Sequence, residues 1–229
     1  MYYNCEAQTN IQKICNDWNK IDSLVTIKSI NKDSAVGFFK KISHELRVSV
    51  THKKDKFVFP LSGFGNKDSI RFYKNGNDYD DSGYDYFQGS NSTGHPAHDI
   101  ITNDHNKDLL DDITGKPVDV VSVCKGVVIA INYSWQAGSK LRGGKYVKVF
   151  DPNKNGFYYY SHLSGLNVFP GDLVNAGDKI GEVGRTGRSA ILKEGSTHLH
   201  IGFYRLNDGY PEPEDILKEL LSSFRFPKK

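Results

Sequence analysis

The chain has 229 residues, of which 38% are hydrophobic, and this length can bury a core without disulfide bonds. Its 30 basic and 27 acidic residues give a net charge of +3, which is too small to indicate a nucleic-acid-binding surface. The mean hydropathy is -0.53 and no apolar run reaches about 20 residues, so no membrane-spanning helix is predicted. The 13 Tyr, 13 Phe and 22 Gly residues favour β structure, because aromatic residues prefer strands and glycines prefer turns.

The three cysteines are Cys5, Cys15 and Cys124, an odd number without a Cys-x-x-Cys pair. They therefore predict neither a cysteine zinc site nor a disulfide framework. A bridge between Cys5 and Cys15 and buried free thiols are both compatible with the pattern. The first residues lack the basic start and the apolar core of a signal peptide. The protein is accordingly either cytosolic or a mature segment whose export signal has been removed.

The first 50 residues carry apolar side chains at helical spacing and predict two helices. The apolar positions are Ile11, Ile14, Cys15, Trp18 and Ile21 in the first helix, and Val36, Phe39, Ile42 and Leu46 in the second. Asp33 or Ser34 is the expected N-cap of the second helix.

Beyond about residue 48 the pattern changes to short strands separated by turns. The predicted strands are Phe57–Phe59, Ile70–Tyr73, Val118–Val123, Gly126–Tyr133, Tyr146–Phe150, Gly156–His162, Lys179–Val183 and His198–Tyr204. Because no long helix interrupts this series, we expect an antiparallel β-sheet rather than a parallel one. Asn75–Gly94 is predicted as a long loop, and Glu212–Leu221 as a short helix.

The sharpest local feature is the His-x-His sequence of His198 and His200. On a strand these two side chains project from the same face, with Cα atoms about 6.5–7 Å apart. One imidazole can therefore bind a metal ion while the other faces water or substrate. Leu199 and Ile201 would point into the core. The alternative is an exposed polar strand that contains two histidines by chance.

A His-x-x-x-Asp pair, His95 and Asp99, is the second candidate. Imidazole and carboxylate together suit a borderline cation such as zinc. Four residues of straight strand span about 13 Å, so joint coordination requires the bend that Gly94 and Pro96 permit. His98 is expected to be structural.

Two further features have simple structural explanations. His162 follows the aromatic run Tyr158–Tyr160, where a lone histidine is usually a satisfied strand residue. The acidic side chains Asp78, Asp80, Asp81 and Asp85 lack the spacing of a calcium-binding loop and are expected to be solvated.

Taken in order, His-x-x-x-Asp, an isolated His after a tyrosine-rich strand and a late His-x-His resemble the lysostaphin-type zinc metallopeptidases. These enzymes are also called LytM-like peptidoglycan endopeptidases. The resemblance runs from about Phe59 to Tyr204, and the N-terminal helices lie outside it. Its motifs are 94–100, 143–147, 160–163, 171–178, 183–187 and 198–201. One departure is Ala97, where many relatives have Gly, and its methyl group could alter the local bend.

The resemblance implies that His95, Asp99 and His200 hold one zinc ion and that His162 and His198 are catalytic. It does not say which of the two histidines is the base. It also implies a β-sheet groove fold, a peptidoglycan peptide as substrate and an extracytoplasmic location. We divide the chain into a helical extension (1–55), a metallopeptidase domain (56–215) and a C-terminal helix end with a tail (216–229). The tyrosine-rich loop, with Tyr79, Tyr84, Tyr86 and Phe87, could form one wall of a peptide groove.

Two other functions are compatible with parts of the sequence. A non-catalytic relative would bind wall peptides or regulate another hydrolase, but such proteins typically lose metal ligands, and here every expected position is filled. A carrier module is suggested by the segment from Gly171 to Gly181, which resembles hairpins of biotinyl and lipoyl domains. The complete ligand set favours hydrolysis over both.

Overall fold

The two N-terminal helices form as the apolar spacing predicts. In the computed structural model, which describes residues 2–50, 56–63, 69–73 and 76–223, α1 is Tyr2–Thr26 and α2 is Lys32–Ser49. The predicted cap of α2 is wrong, because Asn31 occupies that position. Its side-chain oxygen accepts hydrogen bonds from the backbone N–H groups of Asp33 (2.9 Å) and Ser34 (3.2 Å). Both residues therefore belong to the first turn of the helix, where N–H groups need an acceptor.

An antiparallel sheet dominates the rest of the chain, as expected from the sequence. The strands are β1 (Phe72–Tyr73), β2 (Gly76–Asn77), β3 (His98–Ile101), β4 (Asp119–Val121), β5 (Gly126–Asn132), β6 (Lys145–Asp151), β7 (Gly156–Leu163), β8 (Gly165–Leu166), β9 (Leu173–Val174), β10 (Lys179–Glu182), β11 (His198–Asn207) and β12 (Tyr210–Glu214). Within the described residues, the main sheet has the order β12-β11-β7-β6-β5-β9, and β3 also pairs with β11. A smaller sheet has the order β4-β10-β8, and β1 pairs with β2.

The C-terminal helix begins later than predicted. Residues from Tyr210 to Glu214 form β12, which pairs with β11 at the edge of the main sheet, and the helix α3 is Leu217–Ser222. Pro211 and Pro213 explain the difference, because proline disfavours helix at the residue before it and is tolerated on an edge strand. The N-terminal strands are also shorter than expected. Phe57–Phe59 forms no strand, and only Phe72–Tyr73 of the next candidate does.

Alternation along β11 divides the main sheet into two faces. Leu199 and Ile201 point into one core, as predicted, together with Val120 of β4 and Ile180 of β10. His198, His200 and Tyr204 project from the opposite face. The smaller sheet therefore packs on one side of the main sheet, and the histidines lie on the other.

The N-terminal helices cover part of the same face that carries the histidines. Trp18 of α1 is fully buried, and its ring stacks on Phe39 of α2 at 4.8 Å between centroids. Both residues share a core with Phe150, Phe157 and Tyr204 of the sheet. The division of the chain at residue 55 remains a prediction, and residues 224–229 of the predicted tail lie outside the described residues.

A buried ion pair joins α1 to this face. The Nζ atom of Lys148 lies 2.5 Å from a carboxylate oxygen of Asp22, and both side chains are almost completely buried. The hydroxyl groups of Tyr86 (2.5 Å) and Tyr146 (2.8 Å) donate to the same carboxylate. Burial lowers the pKa of Lys148, and the Asp22 charge opposes that change. Because each polar group has partners, the helix is fixed to the sheet by specific contacts as well as by apolar packing.

Two expectations about the chain as a whole can be compared with the structure. None of the described helices has the length and apolar character needed to cross a membrane.

Cys15 is a buried thiol without a disulfide bond, whereas the side chain of Cys5 lies outside the described residues. Burial raises the pKa of the Cys15 thiol to about 12, which keeps it protonated and unreactive.

Candidate metal centre

A bend before β3 brings His95 and Asp99 together. Gly94 has φ of +75°, and a Cβ atom there would lie 2.7 Å from the backbone oxygen of Asp80, so glycine is required. The distance from His95 Nε2 to Asp99 Oδ1 is 3.2 Å. Ala97 does not have the positive φ that only glycine adopts readily, and its methyl group is buried. The departure from the family pattern is therefore accommodated without strain.

The third member of the group comes from the pairing of β3 with β11. His200 lies directly opposite Asp99 in the strand register, and its Nδ1 atom is 3.1 Å from Asp99 Oδ1. The ligand atoms of His95, Asp99 and His200 all lie within 4.8 Å of one another, so that they could hold a metal ion. The sequence predicted these three residues as ligands, and the fold places them in one cluster.

The donor set and its spacing fit zinc. Zinc is commonly bound by imidazole nitrogen and carboxylate oxygen at about 2.0–2.2 Å, and two such donors at tetrahedral angles lie roughly 3.3 Å apart. The distances of 3.2 Å and 3.1 Å from Asp99 Oδ1 to the two imidazole nitrogens are close to that separation. Three protein ligands are also the number found in catalytic zinc sites, which keep a fourth position for water or substrate.

Hydrogen bonds orient the ligands. His95 Nδ1 donates to the backbone oxygen of Asp78 at 2.7 Å, which leaves Nε2 directed at Asp99. Burial alone would raise the pKa of Asp99, but the hydrogen bonds from His200 and His95 hold it well below its usual value. Burial lowers the pKa of His200. An ionised carboxylate and a neutral imidazole are the forms that bind a cation.

The two predicted catalytic histidines lie beside this cluster. The ring centroid of His162 is 4.8 Å from that of His198 and 5.5 Å from that of His200. His162 Nδ1 donates to the backbone oxygen of Thr186 at 2.6 Å, and His198 Nδ1 donates to that of Ser196 at 2.8 Å. In both rings Nδ1 is therefore occupied by a hydrogen bond, and Nε2 is the nitrogen that is available for catalysis.

His162 has an unusual backbone conformation. Its φ is +64°, in the left-handed region that non-glycine residues rarely adopt and that clusters at functional sites. Gly187 packs so closely that a Cβ atom there would lie 2.8 Å from His162 Nδ1. Burial lowers the pKa of His162 well below its usual value, so that the ring is neutral near pH 7 and can accept a proton.

Asp78 lies beside the site and is buried, contrary to the expectation from the sequence. We expected a solvated loop carboxylate, but only 3% of Asp78 is exposed, whereas Asp80 and Asp81 are exposed as predicted. The Oδ2 atom of Asp78 accepts a hydrogen bond from the backbone N–H of Asp99 at 2.9 Å. The Oδ1 atom of Asp78 lies 3.2 Å from Nδ1 of the buried His98. His98 is structural, as predicted. Nothing in the loop's spacing distinguishes Asp78 from its acidic neighbours.

Arg71 is a second residue that the sequence did not single out. Its guanidinium donates to Asp99 Oδ2 at 2.7 Å and to the Ser196 hydroxyl at 2.8 Å. Ser196 also supplies the carbonyl that orients His198. Arg71 therefore links a predicted ligand to the segment that positions a predicted catalytic residue. It also occupies one oxygen of Asp99 and leaves Oδ1 to the two histidines.

Replacing Arg71 with methionine is expected to weaken zinc binding about 10- to 100-fold, the usual effect of losing a partner that orients a ligand. Competition with a chromophoric chelator measures the affinity. Because lysine can keep one hydrogen bond, the zinc affinity of Arg71→Lys should lie between those of the native protein and Arg71→Met. Arg188→Met is the matched control, because Arg188 is exposed. Equal affinity of the Arg71→Met variant and the native protein would contradict the orienting role.

A cavity of about 570 Å³ adjoins the cluster. Its lining includes the five histidine and aspartate residues of the site as well as Tyr84 and Tyr86 of the tyrosine-rich segment. That segment is not a simple loop, since Tyr86–Asn91 forms a 3-10 helix. Tyr79 stacks on His98 instead, and Phe87 packs against Phe39. Only two of the four aromatic residues expected in a groove wall therefore line the cavity.

Comparison with known proteins adds a family match. Solved structures similar to the chain include lysostaphin from Staphylococcus simulans (24% identity, TM-score 0.40, 56% of this chain and 44% of that chain). Another is the catalytic domain of lysostaphin from Staphylococcus simulans (21% identity, TM-score 0.42, 74% of this chain and 92% of that chain). A third is a zinc-containing peptidase from Vibrio cholerae (19% identity, TM-score 0.42, 75% of this chain and 41% of that chain). The chain thus spans less than half of the lysostaphin chain in the first comparison. No curated protein matches it.

The family match covers the later part of the site. Residues 110–212 match the model of Peptidase family M23, a range that includes His162, His198 and His200 and begins after His95 and Asp99. Through residues 110–212, the chain is therefore similar to Peptidase family M23.

Proposed function

We propose that the protein is a zinc-dependent endopeptidase that hydrolyses peptide cross-links or stem peptides of bacterial peptidoglycan. One observation carries the proposal: three ligand atoms within 4.8 Å of one another lie beside two oriented histidines in a cavity. The match of residues 110–212 to Peptidase family M23 and the sequence resemblance support this class of substrate. A wall-cutting enzyme acts outside the cytoplasm, so the proposal includes an extracytoplasmic location.

The geometry supports the proposed role of each site residue. His95, Asp99 and His200 would hold zinc, which when bound polarises a carbonyl group and acidifies water. Neutral His162 can accept a proton at Nε2, while its Nδ1–H remains bonded to Thr186. His198 presents its Nε2 atom 3.7 Å from Asp99 Oδ2 and can stabilise an oxyanion or protonate the leaving amine.

Digestion of defined peptidoglycan with and without a chelator tests the proposal. We expect peptide fragments that end at one bond type, identified by mass spectrometry, and their loss when zinc is removed. His162→Ala should keep its zinc and lower turnover about 10²- to 10⁴-fold, the usual contribution of a general acid or base. No cleavage by the zinc-loaded protein would favour a wall-binding role, and unchanged turnover in the variant would remove His162 from catalysis.

A further inference from the structure

The strand register shows how far the exposed sheet face extends from the site. His200 pairs with Ser161 across β11 and β7, and this row carries the histidines. One pleat further along, Tyr159 of β7 pairs with Lys148 of β6. Successive rows on one face of a sheet are about 7 Å apart. The cavity floor therefore continues one row beyond the site toward the helices.

The next row is covered by α1. Phe150 and Phe157 pair across β6 and β7, and the Trp18 ring lies 6.2 Å from each of their rings. Both phenylalanines are fully buried. A peptide lying on the sheet cannot extend past the Tyr159 row in this direction, because the helix occupies the space.

The residues that line the cavity differ between its two ends. At the α1 end, Val25, Tyr86 and Lys148 are at most 7% exposed. On the opposite side, Leu192 is 55% exposed and Glu194 is also exposed. The cavity therefore opens to solvent near Leu192 and is closed at α1.

Backbone contact seals the closed end. The 3-10 helix meets the C-terminal end of α1 so closely that a Cβ atom on Gly89 would lie 2.7 Å from the backbone oxygen of Thr26. Tyr86, on the same 3-10 helix, donates its hydroxyl hydrogen to Asp22 of α1. These contacts leave no passage for a peptide between the two helices.

An arginine gives the closed half a positive charge. Arg142 donates to the backbone oxygens of Ser92 (2.6 Å) and Gly94 (3.5 Å), which leaves further N–H donors. Its backbone N–H donates to the hydroxyl of Ser90 at 3.4 Å, and Ser90 follows Gly89, which packs against the end of α1. Arg142 therefore lies at the closed half of the cavity, whose lining it shares with Tyr159.

The charge of Arg142 is not balanced locally. Within the described part of the chain, no carboxylate lies within ion-pair distance of its guanidinium. Lys148, the other cation at this end, is already paired with Asp22. The closed half can therefore accommodate one anionic group, and the carboxylate at the end of a peptide has the charge and the planar shape that arginine binds.

We propose that α1 closes one end of the substrate cavity and that this end binds the terminal carboxylate of a peptide. The inference rests on the proposed peptidase function and narrows its substrates to peptides that have a free C-terminal carboxylate about three residues beyond the scissile bond. The ring centroids of His200 and Tyr159 are 6.0 Å apart, and those of Tyr159 and Tyr146 are a further 5.3 Å apart. At roughly 3.5 Å per extended residue, this path holds about three residues beyond the scissile bond.

Oligoglycines test both parts of the proposal, because glycine is achiral and changes only length and end charge. N-acetylated probes from diglycine to octaglycine, with a free carboxylate or an amide at the C-terminus, are titrated into the zinc-loaded protein by calorimetry. We expect the carboxylate forms to bind about tenfold more tightly than the amides, the effect of one charge-assisted hydrogen-bonded pair. Where cleavage occurs, the C-terminal fragments should contain no more than about three residues.

Variants at Arg142 separate the charge from the shape of the cavity. Arg142→Met should bind both forms equally while keeping its zinc, and Arg142→Lys should keep part of the preference. Equal or absent binding of the two forms by the native protein, an unchanged preference in Arg142→Met, or longer C-terminal fragments would overturn the proposal. If neither these probes nor peptidoglycan is cleaved despite bound zinc, the peptidase proposal fails, and the carboxylate site is judged on binding alone.

Discussion

Replacing His200 with alanine is expected to lower zinc affinity roughly 100- to 1000-fold and to abolish peptidase activity. Binding of zinc at a structural site with four ligands contributes about 10–16 kcal/mol, so that one ligand accounts for roughly 2.5–4 kcal/mol. His200 also lies within 3.1 Å of Asp99 Oδ1, and its loss removes one of the two histidines that stabilise that carboxylate. Zinc stoichiometry after dialysis and the affinity from chelator competition measure the change. His95→Ala should behave in the same way.

The control for this experiment is His105→Ala. The His105 side chain is 87% exposed and forms a hydrogen bond with Asp112, so that its loss should leave zinc binding unchanged. Far-UV circular dichroism should be the same for all variants, since His200 is on a strand that main-chain pairing holds in place. A full complement of zinc in both His200→Ala and His95→Ala would refute the ligand assignment.

Replacing Asp22 with alanine is expected to destabilise the folded protein by roughly 3–5 kcal/mol. The substitution leaves the ammonium group of Lys148 buried without its anionic partner, and removal of one member of a buried ion pair has a cost of this size. Tyr86 and Tyr146 lose their acceptor as well. For a chain of this length, each kcal/mol corresponds to roughly 2–4 °C in the melting temperature. Thermal unfolding followed by circular dichroism measures the shift.

Two companion variants make the result specific. Asp17→Ala removes a carboxylate from the exposed face of the same helix and should change stability by less than about 0.5 kcal/mol. Adding Lys148→Met to Asp22→Ala should recover part of the loss, because no unpaired buried charge remains. If the double variant is no more stable than Asp22→Ala, the ion pair is not the reason for the destabilisation.

The same contacts bear on the N-terminal extension. If this segment suppressed activity, a chain beginning near Lys56 would be more active than the whole protein. The structure places Trp18 and Asp22 inside the packed sheet face, where α1 also forms the end of the cavity. We therefore expect a chain that starts near Lys56 to lose stability rather than to gain activity.

Local patterns predicted the elements well where one local preference dominated. The helical spacing of Trp18 in α1 and Phe39 in α2 indicated both helices, because the buried side chains on one face recur with the helical period. The alternation of Leu199 and Ile201 likewise indicated β11. The same reasoning failed at β12, because the pairing of this segment with β11 outweighed its apolar spacing and agreed with its two prolines.

The sequence by itself predicted the fold class and, through the family resemblance, the five residues that lie together in the structure, His95, Asp99, His162, His198 and His200. It could do so because the motifs are short and their order along the chain is characteristic. Only the tertiary structure revealed the contacts of Arg71, Asp78 and the Asp22–Lys148 pair, and it alone showed that α1 lines one end of the cavity. Each of these features depends on contacts between residues that lie 21 to 126 positions apart. No local pattern encodes such contacts, since they arise from the way the strands and helices pack.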